Sequence, residues 1–216
     1  IGNCAIFSLQ GSKILPAGEA GILVTNNREI YEKSIALGHY ERVANLENEN
    51  LRKYARTGFG VKHRLSPLHA AIAIEQLKKF EKVNSRITRN CEKFRNAIKD
   101  VEGTGFHIPD IPPYIERGYF MNQIVYKDGG GIIPKQDLIF LLSSEGMKVG
   151  ESRYKLLHKQ AYFTERGHDP NNFSKTQQIV DSLISFPNFP WDESGELTEQ
   201  YIHGIEKVAY HVKDDF

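Results

Sequence analysis

One lysine near the start of the chain stands where it could bond covalently to an aldehyde. Lys13 lies between segments 3–8 and 21–25, whose apolar residues predict two short buried strands. A lysine held between such strands is partly withdrawn from water, which favours its neutral amine form. A neutral amine attacks an aldehyde to form a Schiff base. The alternative is a solvated lysine at a strand end, because most lysines lie at the surface.

The residues around Lys13 resemble the lysine hairpin of a family of sugar aminotransferases. Phe7-Ser8 is followed by Lys13, then by Gly18-Glu19-Ala20-Gly21 and Val24-Thr25. This is similar to the FSF, K, GEGG and VT motifs of the pyridoxal-phosphate-dependent DegT/DnrJ/EryC1/StrS family, with Ala20 in place of a glycine. The resemblance implies that Lys13 holds pyridoxal 5'-phosphate as an imine. It also implies that Ser8 gives its hydroxyl to the cofactor phosphate.

A second segment, Gly60–Ala71, resembles the family motif GxKYRxxPLAAA. In relatives an asparagine at the Lys62 position reaches the cofactor phosphate of the neighbouring subunit. The resemblance therefore implies a homodimer with shared active sites, in which Lys62 meets that phosphate as a point charge. A solvated basic loop is the alternative for Lys62 and Arg64.

A third segment is similar to the family's substrate entrance and gives three candidate substrate-binding residues, Arg153, Tyr154 and His158. The alternatives are that Tyr154 belongs to the core and that His158 hydrogen-bonds a backbone carbonyl.

The resemblance implies an α/β fold, the fold type I of pyridoxal-phosphate-dependent transferases (aspartate-aminotransferase-like), present incompletely. Residues 1–100 would form the end of the large cofactor domain, with the lysine hairpin and a long bridging helix. Residues 101–216 would form a small C-terminal α/β domain. In relatives about half of the protein precedes this region and carries the carboxylate and the helix N-terminus that bind the cofactor ring and phosphate. We therefore expect a C-terminal portion with little activity alone.

The implied reaction transfers an amino group from glutamate or glutamine to a keto-sugar, often nucleotide-linked, or to a keto-cyclitol. Relatives that act as dehydratases carry histidine at the Lys13 position, so the lysine favours amino transfer. Two alternatives are a catalytically inactive homologue and half of a split enzyme that acts as an interaction module.

Hydrophobic spacing predicts helices at 28–37, 66–99, 134–146, 174–185 and 197–212. Asn27 and Ser66 are suited to cap the first two, and we expect the second to bend or break near Asn84-Ser85. The remaining predictions are a polar surface loop at 39–57, a linker at 101–117, a strand at 119–126 and a turn at 127–131.

Composition excludes several classes of function. The 216 residues are 40% hydrophobic and 25% charged, as in folded proteins, and a net charge of +1 gives no field that attracts nucleic acid or membrane surfaces. No apolar run approaches the ~20 residues of a membrane span. Cys4 and Cys91 are expected to be buried reduced thiols in a cytoplasmic protein, and the dispersed histidines predict no metal site.

Overall fold

A computed structural model of the chain describes residues 2–131, 133–152 and 155–214, without the side chains of 128–131. The chain folds into two compact units, Ile1–Lys82 and Val83–Phe216. Within the described ranges, no helix combines the length and the apolar character that a membrane crossing requires. The domain boundary near residue 100 stays a prediction.

The first unit begins with an antiparallel hairpin of β1 (Ala5–Ser8) and β2 (Gly21–Val24). Ala5 lies opposite Val24, and Ser8 lies opposite Gly21. The two strands predicted around Lys13 are confirmed, but their predicted burial is wrong. All eight strand residues are exposed, because a two-stranded sheet buries a face only when another element packs on it.

Helix α1 (Arg28–Gly38) begins at the predicted cap, where the Asn27 side chain accepts a hydrogen bond from the amide of Ile30 at 3.1 Å. The segment after α1 was predicted to be a surface loop, and this is wrong. It forms a 3-10 helix (Tyr40–Asn45) and helix α2 (Glu49–Arg52). A buried apolar cluster explains the order of this segment; its members are Ala36, Val43, Leu46 and Leu51.

Helix α3 (Pro67–Ile98) is one continuous helix whose residues belong to both units. Its predicted start and end are confirmed, and the Ser66 hydroxyl accepts a hydrogen bond from the amide of Leu68 at 3.3 Å. The predicted break near Asn84-Ser85 does not occur. Neither residue removes a backbone donor as proline would, and each costs a helix well under 1 kcal/mol relative to alanine.

The second unit contains a four-stranded antiparallel sheet in the order β3-β4-β6-β5. Its strands are β3 (Thr104–His107), β4 (Asn122–Gly131), β5 (Gly150–Glu151) and β6 (Leu183–Phe186). Three sequence predictions are corrected by this pairing. The linker contains β3, the expected turn at 127–131 continues β4, and the helix expected to reach residue 185 gives way to β6. Each of these segments gains its hydrogen bonds from a distant strand.

The helices of the second unit after α3 are α4 (Lys135–Ser144), α5 (Ala161–Thr164), α6 (Ser174–Ser182) and α7 (Glu196–Asp214). The predicted helices at 134–146 and 197–212 are confirmed.

Phe94 of α3 packs on Phe186 and Phe189, with ring centroids 5.0 and 5.5 Å away. Phe189 in turn meets Tyr201 of α7 at 5.3 Å. This row of aromatic rings joins α3, the sheet and α7 in one core.

Asp192 caps the start of α7. Its carboxylate accepts hydrogen bonds from the hydroxyl of Thr198 at 2.6 Å, from the Thr198 amide at 2.8 Å and from the Gly195 amide at 2.9 Å. Burial opposes ionisation of this carboxyl, but the hydrogen bonds from Thr198, Leu197 and Gly195 outweigh it and lower the pKa of Asp192. The charged cap therefore stabilises the helix start.

The two cysteines differ in environment. Cys91 is buried, as predicted, and its burial raises the pKa of the thiol to about 12. Cys4 is exposed, so the prediction that it is buried is wrong. It immediately precedes β1, and the hairpin itself is exposed.

Candidate cofactor site

Lys13 lies in the connection between β1 and β2 and is half-buried. Its backbone amide donates to the carbonyl of Gln10 at 2.9 Å, which closes a turn. Two buried residues anchor this connection: the Leu9 amide donates to Ala20 at 2.9 Å, and the Ala17 amide donates to Leu9 at 2.7 Å. Backbone hydrogen bonds therefore hold the segment that carries the lysine, although the flanking strands do not bury it.

Gln10 forms hydrogen bonds with both candidate cofactor-binding residues of this hairpin, Ser8 and Lys13. Its amide donates a long hydrogen bond of 3.4 Å to the hydroxyl of Ser8, which is exposed at the end of β1. Its side-chain carbonyl accepts from the amide and hydroxyl of Ser12 at 2.8 and 2.6 Å. Sequence reasoning missed Gln10, and its place between a serine and a lysine is the signal that could have found it.

The groups on this connection suit an aldehyde-bearing phosphate ester. A primary amine can bond to the aldehyde, and a hydroxyl that points from a strand end can donate to phosphate oxygens. Ser8 supplies the hydroxyl from the end of β1, and Lys13 supplies the amine from the turn that follows it. The residues present therefore fit pyridoxal phosphate.

Lys62 belongs to the same unit and is exposed, with its ammonium nitrogen 5.6 Å from the centroid of the Tyr40 ring. Nearby, Arg64 donates a hydrogen bond to Glu41. This hydrogen bond lowers the pKa of Glu41 against the opposing effect of desolvation, and the charges of Arg64, Lys62 and His39 add to the lowering. Lys62 thus lies near the ion pair of Arg64 and Glu41 and has an exposed side chain, and its contact with a cofactor phosphate stays a prediction.

Of the three substrate-side candidates, Arg153 and Tyr154 lie outside the described residues. His158 lies in a 3-10 helix (Leu157–Lys159) of the second unit, with its ring centroid 5.2 Å from that of Phe173. Its Nε2 atom is buried and has no hydrogen-bond partner in the described part of the chain. Among those same residues, no group of three His, Cys, Asp or Glu side chains is placed to hold a metal ion.

Comparison with known proteins settles the family. The sequence profile of the DegT/DnrJ/EryC1/StrS aminotransferase family matches residues 1–200. The chain belongs to this family. The resemblance seen around Lys13 and before α3 is therefore confirmed as family membership.

Two curated relatives show how much of a family protein the chain represents. It is 23% identical to an uncharacterized protein of Methanocaldococcus jannaschii, over 97% of this chain and 54% of the relative. It is also 23% identical to a Streptomyces kanamyceticus protein assigned as an L-glutamine:3-amino-2,3-dideoxy-scyllo-inosose aminotransferase, over 75% of this chain and 38% of the relative. The chain spans about half the length, or less, of these relatives.

Solved structures agree on the fold. An aminotransferase from Psychrobacter cryohalolentis is similar with a TM-score of 0.78 at 17% identity, over 99% of this chain and 57% of that one. The Escherichia coli GDP-4-keto-6-deoxy-D-mannose-3-dehydratase with bound hydrated PLP gives a TM-score of 0.74 at 20% identity, over 95% of this chain and 55% of that one. The predicted α/β fold of the type I pyridoxal-phosphate enzymes is confirmed, and this family member carries about half of it.

Proposed function

We propose that this chain supplies the lysine-bearing part of a pyridoxal-phosphate-dependent transaminase. Its substrates would be glutamate or glutamine as amino donor and a keto-sugar or keto-cyclitol as acceptor. The observation that carries the proposal is the half-buried Lys13, in a turn closed by Gln10, on a hairpin whose first strand ends at Ser8. The chain spans about half of the length of its Methanocaldococcus jannaschii relative, so the activity is proposed for a protein in which the rest of the cofactor domain is also present.

Bound pyridoxal phosphate would supply an electron sink for the negative charge that develops when the donor loses its α proton. Lys13 would hold the cofactor through Nζ. Once displaced by the donor, the same amine would accept the α proton and return it at the neighbouring position, as general base and then general acid. A proton carrier must stay within hydrogen-bond reach of both positions, and the anchored turn limits the movement of Lys13.

Ser8 and Lys62 are the proposed phosphate ligands. The Ser8 hydroxyl is exposed and accepts a long hydrogen bond of 3.4 Å from the Gln10 amide, so it can reorient to donate to a phosphate oxygen. Lys62 would neutralise part of the phosphate charge across a homodimer interface, and its exposed ammonium group supports this role. Arg153, Tyr154 and His158 remain candidates for the substrate side.

The relatives support this choice of substrates. The Streptomyces kanamyceticus relative is named for L-glutamine as donor and an amino-dideoxy-inosose as acceptor. The Escherichia coli neighbour is named for a nucleotide-linked keto-sugar, but its reaction is a dehydration. In this family a lysine at position 13 supports amino transfer over dehydration, because it can both hold the cofactor and carry the proton.

A second candidate function is that of one half of a split enzyme. The apolar side chains of the first unit support it, since Ile6 and Leu68 are 75% and 76% exposed and the hairpin has neither face buried. A two-stranded sheet is marginally stable alone. A separate polypeptide that completes the cofactor domain would cover these residues. An inactive homologue that has kept only the interaction surface is the remaining alternative.

The experiment is to join the chain to the part of a family relative that it does not match and to assay amino transfer. We expect transfer from glutamine or glutamate to a keto-cyclitol or nucleotide-linked keto-sugar, with loss of at least 1,000-fold in kcat when Lys13 is replaced by alanine. A Lys78→Ala variant is the matched control, because Lys78 is an exposed lysine paired with Glu75 on α3. Equal inactivity of the parent and the Lys13→Ala protein, with cofactor bound, would support the inactive homologue.

A further inference from the structure

Gln10 holds the turn that carries Lys13 through two separate groups. Its main-chain carbonyl accepts a hydrogen bond from the Lys13 amide at 2.9 Å. Its side-chain carbonyl accepts from the amide of Ser12 at 2.8 Å and from the Ser12 hydroxyl at 2.6 Å. In a turn closed between its first and fourth residues, the amide of the third residue has no main-chain partner within the turn. The Gln10 side chain supplies that partner, so one residue bonds the amides of both Ser12 and Lys13.

The orientation of the Gln10 side-chain amide follows from these contacts. The backbone amide of Ser12 is a donor, so the atom that faces it is the oxygen Oε1 and not the nitrogen Nε2. This oxygen only accepts, and the Ser12 hydroxyl therefore donates its hydrogen to it. While this bond is formed, the Ser12 hydroxyl has no hydrogen to give to a phosphate.

The Ser8 hydroxyl is in the opposite situation. It accepts a hydrogen bond of 3.4 Å from the backbone amide of Gln10. That bond uses a lone pair of the oxygen and leaves the hydroxyl hydrogen to be donated elsewhere. Gln10 therefore distinguishes the two serines of this segment by the direction of their hydrogen bonds, and Ser8 is the one suited to donate to a phosphate.

The position of Gln10 is itself fixed by the residue before it. Leu9 is buried, its amide donates to the carbonyl of Ala20 at 2.9 Å, and its carbonyl accepts from the amide of Ala17 at 2.7 Å. Both partners lie on the returning side of the connection, shortly before β2. The hydrogen bonds of Gln10 thus join the lysine turn to a backbone that is already anchored.

We propose that Gln10 is a positioning residue of the cofactor site, which orients the Lys13 amine through the turn and leaves the Ser8 hydroxyl to donate to the phosphate. The inference rests on the proposed function, because it concerns the same two side chains. A reacting group misplaced by about 1 Å loses about 100-fold in rate, whereas one neutral hydrogen bond contributes little to folding. Gln10 therefore acts on the chemistry more than on stability.

Hydrogen exchange of the full chain tests the positioning without cofactor. Gln10→Met keeps the length of the side chain and removes the acceptor, so exchange of the Ser12 amide should become about 2- to 12-fold faster. Gln10→Asn should restore the protection, since an asparagine side chain accepts from the amide two residues ahead. Exchange of the Leu9 and Ala17 amides should be unchanged in both variants. Equal exchange of the Ser12 amide in the parent and in Gln10→Met would overturn the proposal.

The hybrid that joins this chain to part of a relative tests the consequence for catalysis. With saturating pyridoxal phosphate, Gln10→Met should lower kcat about 10- to 100-fold and change the KM for the amino donor less than about three-fold. Gln10→Asn should recover most of the lost kcat. Gln76→Met is the matched control and should behave as its parent, because Gln76 is a half-buried glutamine of the same unit, on α3 rather than on the hairpin.

The two serines are compared in the same hybrid by the Kd for pyridoxal phosphate. Ser8→Ala should raise it about ten-fold or more, and Ser12→Ala should change it less than about two-fold. Equal effects of the two substitutions would contradict the assignment of the donor.

Failure of this inference and failure of the proposed function give different results. An unchanged kcat in Gln10→Met, or an equal fall in Gln76→Met, would overturn the role of Gln10 and leave the proposed function intact. Absence of the cofactor from the Lys13 peptide of the parent hybrid after borohydride reduction would overturn the proposed function, and with it the role of Gln10 toward the cofactor.

Discussion

Gly18 lies against the imidazole of His69, and a Cβ atom at this glycine would come within 3.2 Å of Nε2. Gly18 also has φ of +78°, in the left-handed region that L-residues rarely adopt. The connection that carries Lys13 is therefore fitted to the first turns of α3 through a residue without a side chain.

Replacing Gly18 with alanine should loosen this connection. The positive φ alone costs an alanine about 1–2 kcal/mol, and the contact with His69 adds to this. Hydrogen exchange at the amides of Leu9 and Ala17 measures the effect, with protection expected to fall about 5- to 30-fold. Gly11→Ala is the control, because its Cβ would lie 4.0 Å from the nearest atom, the Gly18 carbonyl. Equal protection in the two variants would contradict the role of Gly18.

Asp192→Ala should destabilise the second unit by about 1–2 kcal/mol at pH 7, as expected for loss of a helix cap. Because the folded-state pKa of Asp192 is lowered, its stabilising effect is present above the unfolded pKa of about 3.9 and is lost as the pH falls through the folded value. Urea unfolding followed by the fluorescence of Trp191 should give a constant difference from wild type between pH 5 and 7. The difference should shrink below about pH 4.

Asp100→Asn is the control for that series, because Asp100 is exposed. It should change stability by less than about 0.5 kcal/mol at every pH. A difference between wild type and Asp192→Ala that does not depend on pH would show that the ionised carboxylate is not what stabilises α7.

The two cysteines should differ sharply in reactivity. With a pKa of about 12, roughly one Cys91 thiol in ten thousand is ionised at pH 8, and the residue is also buried. Iodoacetamide should therefore label Cys4 in the native protein and leave Cys91 unmodified, as read by peptide mass spectrometry. Both should react in concentrated urea. Fast native labelling of Cys91 would contradict the packing of α3 against the sheet.

The exposed apolar residues of the first unit should matter for association and little for folding. Ile6→Lys and Leu68→Lys should each change stability by less than about 0.5 kcal/mol, because both side chains are exposed. Each should weaken binding to a separately expressed cofactor-domain segment of a relative at least ten-fold in a sedimentation assay. Tyr210→Lys, an exposed residue of α7, is the control and should bind normally. Unchanged binding by all three would exclude this surface as the contact.

The sequence predicted well those features that depend on neighbouring residues, such as helix caps and the strands around Lys13. Asn27 and Ser66 cap helices because their side chains accept hydrogen bonds from amides two or three residues ahead. The strands around Lys13 follow from apolar residues and glycines, and motif resemblance supplied the family.

Long-range contacts were not predictable in this way. Glu32 looks like a solvent-facing helix residue, yet it is buried and accepts hydrogen bonds from the amides of Glu47 and Asn48 at 2.9 and 3.0 Å. Strand β3 exists only because its residues pair with β4 across a proline-containing segment. Arg95 lies in the last turn of α3, and the neighbouring residues in the sequence do not indicate that it is buried. Such features depend on partners 15 or more residues away.

Borohydride reduction of the hybrid transaminase in the presence of pyridoxal phosphate tests the central claim most directly. Peptide mass spectrometry should find the cofactor mass on the peptide that contains Lys13. The visible absorbance of the bound cofactor should be lost in Lys13→Ala and kept in Lys78→Ala. The assignment of this lysine would be contradicted if the Lys13→Ala protein bound the cofactor with the same absorbance spectrum. The borohydride treatment would then also attach the cofactor to that protein in the same yield.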